Sequence, residues 1–166
     1  KVYVAKKAGE AVGYAVETFT KNGFGGRIDL MVGFDAKGVI CDFSVLKHGE
    51  TPGLGAKMDE WFHADSKGGN IQNMKGVDMA AENGTLVVAK DGGKVDAITA
   101  STITSRAFLD AVNRAYKYYL EAVGSAPAGA EATDASADVP QDEASTAAET
   151  PSTEDNAAPA EKGDNK

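Results

Sequence analysis

The densest group of chemically useful side chains is a run of hydroxyls within residues 99–105, at Thr99, Ser101, Thr102, Thr104 and Ser105. The run is predicted to lie where a strand ends and a helix starts, because apolar residues alternate before it and recur at helical spacing after it. Capping a helix needs one such hydroxyl, or two. The free amides and positive dipole end of a helix also bind phosphate, held reversibly or esterified to a hydroxyl. Residue types alone leave capping and phosphate binding open.

A second segment with ligand-binding character spans residues 47–55, with the sequence KHGETPGLG. Pro52 restricts the backbone, and the three glycines allow another group to approach it closely. His48, Glu50 and Thr51 add donors and acceptors to this stiff loop, and binding residues often lie on loops of a rigid scaffold. The alternative is a tight connection between a strand and a helix.

The elements that must position these two segments are predicted from apolar periodicity. Residues 1–47 alternate as a meander of antiparallel hairpins, and residues 56–63 form a short amphipathic helix. Further strands are predicted at 85–89 and 95–98. Residues 102–123 form the longest helix, with an apolar stripe. The fold class is therefore α+β, a twisted antiparallel sheet packed against a long C-terminal helix.

Composition divides the chain near residue 124. Residues 124–166 hold four of the five prolines, ten acidic and two basic residues, and no aromatic residue. They predict a disordered Ala/Pro/acid-rich tail following a folded domain at 1–123. The folded part carries 15 basic and 15 acidic residues, so it has no basic surface for nucleic acid, and nucleic-acid binding is not expected.

Metal chemistry is not expected either, since one cysteine and two histidines supply few ligands. Cys41 lies in an alternating segment and is predicted to be buried. No apolar run approaches the ~20 residues of a membrane span. The first residues already read as a strand, so a membrane anchor upstream of residue 1 stays open.

Both segments carry motifs of a known family. Asp96-Ala-Ile-Thr99-Ala-Ser-Thr102 resembles the flavinylation signature Asp-x-x-Ser/Thr-Gly/Ala-Ala-Thr of the FMN-binding domain family, with Ser101 where alanine is usual. The loop from Glu50 to Gly55 resembles that family's Glu-Thr-Pro-Gly-Leu-Gly loop, which packs beside the flavin ring. The resemblance covers roughly residues 1–122.

The resemblance implies that Thr102 carries FMN through a phosphodiester, with Ser101 and Thr104 open as alternative acceptors. It implies attachment by a magnesium-dependent flavin transferase that uses FAD as donor and recognises Asp96 and Thr99. The other implied contacts to FMN come from the loop and the turn: Glu50, Thr51, Gly53, Leu54, Gly55, Thr99, Ala100, Ser101, Ile103, Thr104 and Ser105.

Within the family, the sequence is most similar to the G subunits of Rnf-type ion-translocating ferredoxin:NAD oxidoreductases, relatives of the C subunits of sodium-pumping NADH:quinone oxidoreductases. This likeness implies an electron-transfer subunit that works with the membrane subunits of an Rnf-type complex. It implies the periplasmic side of a bacterial cytoplasmic membrane and an N-terminal anchor. No Gly-x-Gly-x-x-Gly unit follows a predicted strand, so the chain is not expected to oxidise NADH alone. A stand-alone extracytoplasmic FMN carrier and a non-redox ligand-binding module are the alternatives.

Overall fold

The computed structural model describes residues 1–66 and 68–124, which contain a four-stranded antiparallel sheet and a long helix. The strands occur in the sheet in chain order, which confirms the predicted meander: β1 (Val2–Lys7), β2 (Glu10–Gly23), β3 (Gly26–Asp35) and β4 (Ile40–Lys47). The helices are α1 (Met58–His63) and α2 (Thr102–Gly124), with 3₁₀ turns at Gly55–Lys57 and Ala89–Asp91. The predicted α+β class is confirmed.

The core lies between the sheet and α2. Alternate residues of β3 point toward the helix and are almost fully buried: Ile28, Leu30, Val32 and Phe34. The apolar stripe of α2 covers them with Phe108, Val112, Ala115 and Tyr119. Burial of one such side chain contributes about 1.5–3 kcal/mol, so this interface supplies much of the stability of the domain.

Two polar contacts fix the position of α2 across β2 and β3. The Thr20 hydroxyl, fully buried at the end of β2, donates to Asp110 Oδ2 over 2.7 Å. At the far end of the helix, the Tyr119 hydroxyl donates to the carbonyl of Ala36 over 3.1 Å. The first turn of α2 therefore lies at the end of the sheet where the β2–β3 hairpin turns.

The strands predicted at 85–89 and 95–98 are wrong. The structure has only single bridges there, Val88 with Val95 and Ile71 with Val95. The amides of Gly93 and Lys94 bond back to the carbonyls of Val88 and Val87, so the chain reverses too soon for a ladder to form. Val88 and Val95 are apolar because they lie in the core.

Cys41 is exposed, contrary to the prediction of a buried thiol. The register of β3 with β4 shifts at this point, since Gly33 faces Asp42 while Phe34 faces Ile40. The residue between them is the extra residue of a β-bulge, and a bulge interrupts the alternation on which the prediction rested.

Among residues 1–66 and 68–124, no helix has both the length and the hydropathy needed to cross a bilayer. The predicted tail lies, beyond Gly124, outside the described residues. The division into 1–123 and 124–166 stays a prediction.

Candidate functional site

The turn before α2 is fixed from the inside by Ser105. Its hydroxyl accepts from the amide of Ile98 over 2.9 Å and donates to the carbonyl of Ser101 over 3.0 Å. The amide of Ser101 donates to the carbonyl of Ile98 over 3.0 Å, which closes the turn. Ser105 is fully buried. Its hydroxyl therefore holds the turn together, and Ser105 lines neither of the two cavities described below.

Ala100 occupies the left-handed region at the centre of this turn, with φ of 59°. A residue with a side chain adopts this conformation at a cost, and glycine adopts it freely. The family signature accepts glycine or alanine at this position, and the backbone geometry explains why.

Thr102 is the first residue of α2 and is half-buried. Its Oγ1 accepts a hydrogen bond from Lys90 Nζ over 3.4 Å. In the described part of the chain, the amides of Thr102, Ile103 and Thr104 have no acceptor, as expected for the first turn of a helix. These free donors and the dipole of α2 make the surroundings of Thr102 favourable for an anion.

Thr104 and Glu50 join the turn to the loop at residues 48–55. Glu50 is buried, with 5% of its surface exposed, and accepts from the Thr104 hydroxyl and from the amide of Gly25, the latter over 2.8 Å. A Cβ on Gly55 would lie 2.5 Å from Thr104 Oγ1 and 2.7 Å from Glu50 Oε2, so only glycine fits beside this pair. The Thr104 hydroxyl thus already donates its proton to Glu50.

The tip of the β2–β3 hairpin crosses the same loop at close range. A Cβ on Gly25 would collide with the carbonyl of Gly49, and one on Gly49 would lie 2.7 Å from the carbonyl of Gly25. This contact between two glycine backbones brings the neighbouring Phe24 to the start of α2. The Phe24 side chain is 71% exposed.

These elements enclose a cavity of about 320 Å³, which we call the Thr102 cavity. It is lined by Phe24, Glu50, Thr51, Leu54, Gly55, Ala100, Ser101, Thr102, Ile103 and Thr104. Every lining residue except Phe24 belongs to the set implied by the sequence. Phe24, Leu54 and Ile103 are large apolar residues with 71%, 42% and 50% exposure. Exposed apolar side chains that adjoin one another are typical of a binding surface.

A second cavity, of about 650 Å³, adjoins the first, and Leu54 and Ala100 line both. We call it the Trp61 cavity, since the Trp61 side chain lies in its wall with its Nε1 donating to the carbonyl of Asp96 over 3.0 Å. Gly53 and Thr99 line this cavity and not the first.

Asp96 lines neither cavity. Its Oδ1 accepts from Asn70 Nδ2 over 2.7 Å. Its carboxylate thus ties the turn to residue 70, at the surface of the domain.

Lys90 is a residue near Thr102 that the sequence analysis missed. It lies in the 3₁₀ turn at Ala89–Asp91, which is tied to α2 by two hydrogen bonds of 2.7 Å between Asp91 and Arg106. The pair lowers the pKa of Asp91 and raises that of Arg106, chiefly through these hydrogen bonds. The sequence Lys-Asp-Gly-Gly indicates a turn at this position, but only the folded structure shows that its lysine lies beside Thr102.

The described residues contain no group of three His, Cys, Asp or Glu side chains arranged to hold a metal ion.

Fold and cavity together define an α+β domain whose main helix begins at a partly apolar cavity. Residues 23–117, more than half of the chain, match the FMN-binding domain. The chain belongs to the FMN-binding domain family.

Three relatives of the chain are named as G subunits of ion-translocating oxidoreductase complexes. The chain is 40% identical to the G subunit of the ion-translocating oxidoreductase complex of Shewanella loihica, over 70% of this chain and 53% of that protein. It is 37% identical to the protein of the same name from Aliivibrio fischeri, over 71% and 54%. It is 36% identical to the G subunit of the Na(+)-translocating ferredoxin:NAD(+) oxidoreductase complex of Acetobacterium woodii, over 72% and 55%. The chain spans about half the length of the curated relatives it matches.

Proposed function

We propose that the chain carries FMN bonded through a phosphodiester to Thr102 and works as a one-flavin electron carrier in an Rnf-type complex. The observation that carries the proposal is the distinct position of Thr102 among the hydroxyls of the turn. It is the first residue of α2, it lines a cavity with exposed apolar walls, and its oxygen lies beside a lysine.

The other hydroxyls of the turn are less suited to be the acceptor. Thr104 donates to Glu50 and is 2% exposed, while Ser105 is bonded on both sides of the turn and is fully buried. Ser101 is 8% exposed. Thr99 is exposed but lines the Trp61 cavity, away from the free amides of α2.

The residues present fit FMN because the site offers two kinds of surface. Polar donors lie at the start of α2, where a phosphate would be held, and the apolar side chains of Phe24, Leu54 and Ile103 line the same cavity, where the ring would be held. The ester would keep one negative charge, which the helix start stabilises by about 0.3–1 kcal/mol per contact. This is too little for permanent retention, whereas a covalent bond prevents dissociation.

FMN supplies the redox chemistry when bound, and the protein supplies position and electrostatics. Leu54 and Ile103 would exclude water from the ring. Glu50 holds the loop, the hairpin tip and Thr104 together, so it would fix the distance between the ring site and the phosphate site.

The complex and its location are proposed from the named relatives. The chain would accept electrons from one partner subunit and pass them to another within an Rnf-type membrane complex, on the periplasmic side of the cytoplasmic membrane. A magnesium-dependent transferase would attach FMN from FAD and recognise the turn at Asp96 and Thr99.

The test is intact mass and peptide mapping of the chain after expression beside a flavin transferase. Trypsin cleaves after Lys94 and Arg106, so one peptide contains every hydroxyl of the turn, and its fragment ions assign the modified residue. We expect an FMN-sized mass increment on Thr102. Thr102→Ala should lose the yellow colour after denaturation, and Thr85→Ala, an exposed threonine outside the turn that serves as the control, should keep it. A colourless, unmodified wild-type chain would falsify the proposal, and an increment on Thr99 would move the acceptor to the Trp61 cavity.

A further inference from the structure

A phosphodiester is attached to the protein through the Thr102 oxygen alone, yet the start of α2 offers further groups that can bind an anion. We propose that Lys90, the Ser101 hydroxyl and the first free amides of α2 form one binding site for the phosphoryl group on Thr102. This inference rests on the proposed function, to which it adds the residues that receive the charge.

Lys90 is the cation whose charge remains available at this site. Its Nζ donates to Thr102 Oγ1 over 3.4 Å, and no carboxylate of the described residues lies within ion-pair distance of it. Arg106 lies near the same turn but is neutralised by Asp91 through two bonds of 2.7 Å. An anion at the start of α2 would therefore meet the uncompensated charge of Lys90, in addition to the dipole of the helix.

Ser101 supplies the second group. Its side chain is 92% buried, since 8% of its surface is exposed, and it lines the Thr102 cavity. In the part of the chain that the structure describes, Ser101 bonds through its backbone amide and carbonyl, and its hydroxyl has no hydrogen-bond partner. Among the described residues, the fully buried side-chain oxygen without a partner is Thr18 Oγ1, so the unpaired Ser101 oxygen is open to the cavity and can donate to an anion there. A phosphoryl oxygen is an acceptor of the right kind.

The same groups act before and after the group transfer. The Thr102 oxygen forms a bond to the flavin-side phosphorus of FAD, the anhydride bond breaks, AMP leaves with the bridging oxygen, and the hydroxyl proton passes to a base of the transferase. Before the transfer, Lys90 donates to the Thr102 oxygen and favours the loss of its proton, as a nearby cation does. After the transfer, Lys90 and the Ser101 hydroxyl would donate to the phosphoryl group on Thr102.

The first experiment uses inorganic phosphate as the probe on the full-length chain without flavin. Phosphate is titrated while the amide signals of Ile103 and Thr104 are followed by NMR. Both signals should shift in the wild type.

Lys90→Met should raise the half-saturating concentration by about two- to fivefold, the range that an exposed charge at a helix end supports. Lys90→Arg should restore binding. Lys94→Met is the matched control, because Lys94 pairs with Glu82 and does not touch the turn. Equal binding by Lys90→Met and wild type, or no binding by the wild type, would overturn the inference.

The second experiment measures the rate of covalent flavin incorporation with purified transferase and FAD, by in-gel fluorescence. Lys90→Met and Ser101→Ala should each slow incorporation by about two- to fivefold, with Lys94→Met unchanged. Wild-type rates in both variants would show that these groups do not assist the transfer. If the wild-type chain binds phosphate but Thr102 stays unmodified, the proposed function fails while the anion site stands.

Discussion

Glu50 shows how a single buried carboxylate couples three parts of the chain. The loop sequence implied that this residue contacts the flavin, and it does line the Thr102 cavity. Its two oxygens, however, accept from the Gly25 amide in the hairpin tip and from the Thr104 hydroxyl in α2. Its main role in the structure is therefore to hold the walls of the cavity together.

Replacing Glu50 should destabilise the domain. In Glu50→Ala the buried Thr104 hydroxyl and the Gly25 amide lose their acceptor, and an unsatisfied buried donor costs about 1–3 kcal/mol. We expect a fall of that size in the free energy of unfolding, measured by urea denaturation of the flavin-free chain. Thr51→Ala, an exposed neighbour, serves as the control and should unfold like the wild type. A Glu50→Ala chain as stable as the wild type would contradict the role assigned here.

Substituting Leu54 distinguishes the effect of the loop on the flavin potential from its effect on the stability of the domain. Its side chain is 42% exposed and lines both cavities, so Leu54→Ala admits water beside the ring site without opening the core. The midpoint potential of the flavinylated chain should shift, with flavin content and unfolding midpoint unchanged. Potentiometric titration measures this. An unaltered potential would mean that the ring does not lie against this residue.

At the scale of elements, α1 is attached to β4 through His63. Its ring stacks on Phe43 with centroids 4.1 Å apart, and its Nε2 lies 2.9 Å from Asp42 Oδ1. Burial is the largest influence on the pKa of His63 and lowers it. The hydrogen bonds to Asp42 and to the carbonyl of Asp59, together with the negative charges of both carboxylates, outweigh burial, so the net pKa is raised above 6.5. The pKa of Asp42 is lowered from 3.8, first by its bond to His63.

This contact predicts how stability depends on pH. A raised pKa in the folded state means that the contribution of His63 is complete below 6.5 and is lost as the pH rises through the raised value. The contribution of Asp42 is present above 3.8 and is lost as the pH falls. The urea midpoint of the wild type should therefore decline as the pH rises above about 6.5. His63→Gln should flatten this decline, and a decline that persists in the variant would assign it to another group.

Local patterns predicted the elements whose partners are near in sequence. The hairpins of residues 1–47 and the stripe of α2 depend on alternation and helical spacing, and both are present. The positions of Phe24 and Lys90 depend on a glycine crossing and on an ion pair, each between distant segments. No local pattern contains such contacts, so these two neighbours of Thr102 were missed.

On the scale of the whole molecule, charge and core lie in different parts of the chain. Residues 124–166 carry the entire net charge of −8, whereas all residues of the described core lie between Tyr14 and Tyr119. The sequence of residues 124–166 favours a solvated tail.

A chain shortened to residues 1–124 tests this division. We expect its urea midpoint and its extent of flavin incorporation to equal those of the full-length chain, because the sheet, α2 and the Thr102 cavity are all retained. Side-by-side denaturation and in-gel fluorescence make the comparison. A less stable shortened chain would place part of the tail in the folded domain.

The internal bonds of Ser105 also bear on the order of events during maturation. They link residues that come together only when α2 has formed and its first turn is seated in the core. A newly synthesised chain has the same sequence but has not yet formed this turn. A transferase that recognises the folded turn would therefore modify folded domains and leave misfolded ones unmodified. Cofactor attachment would then be restricted to correctly folded chains.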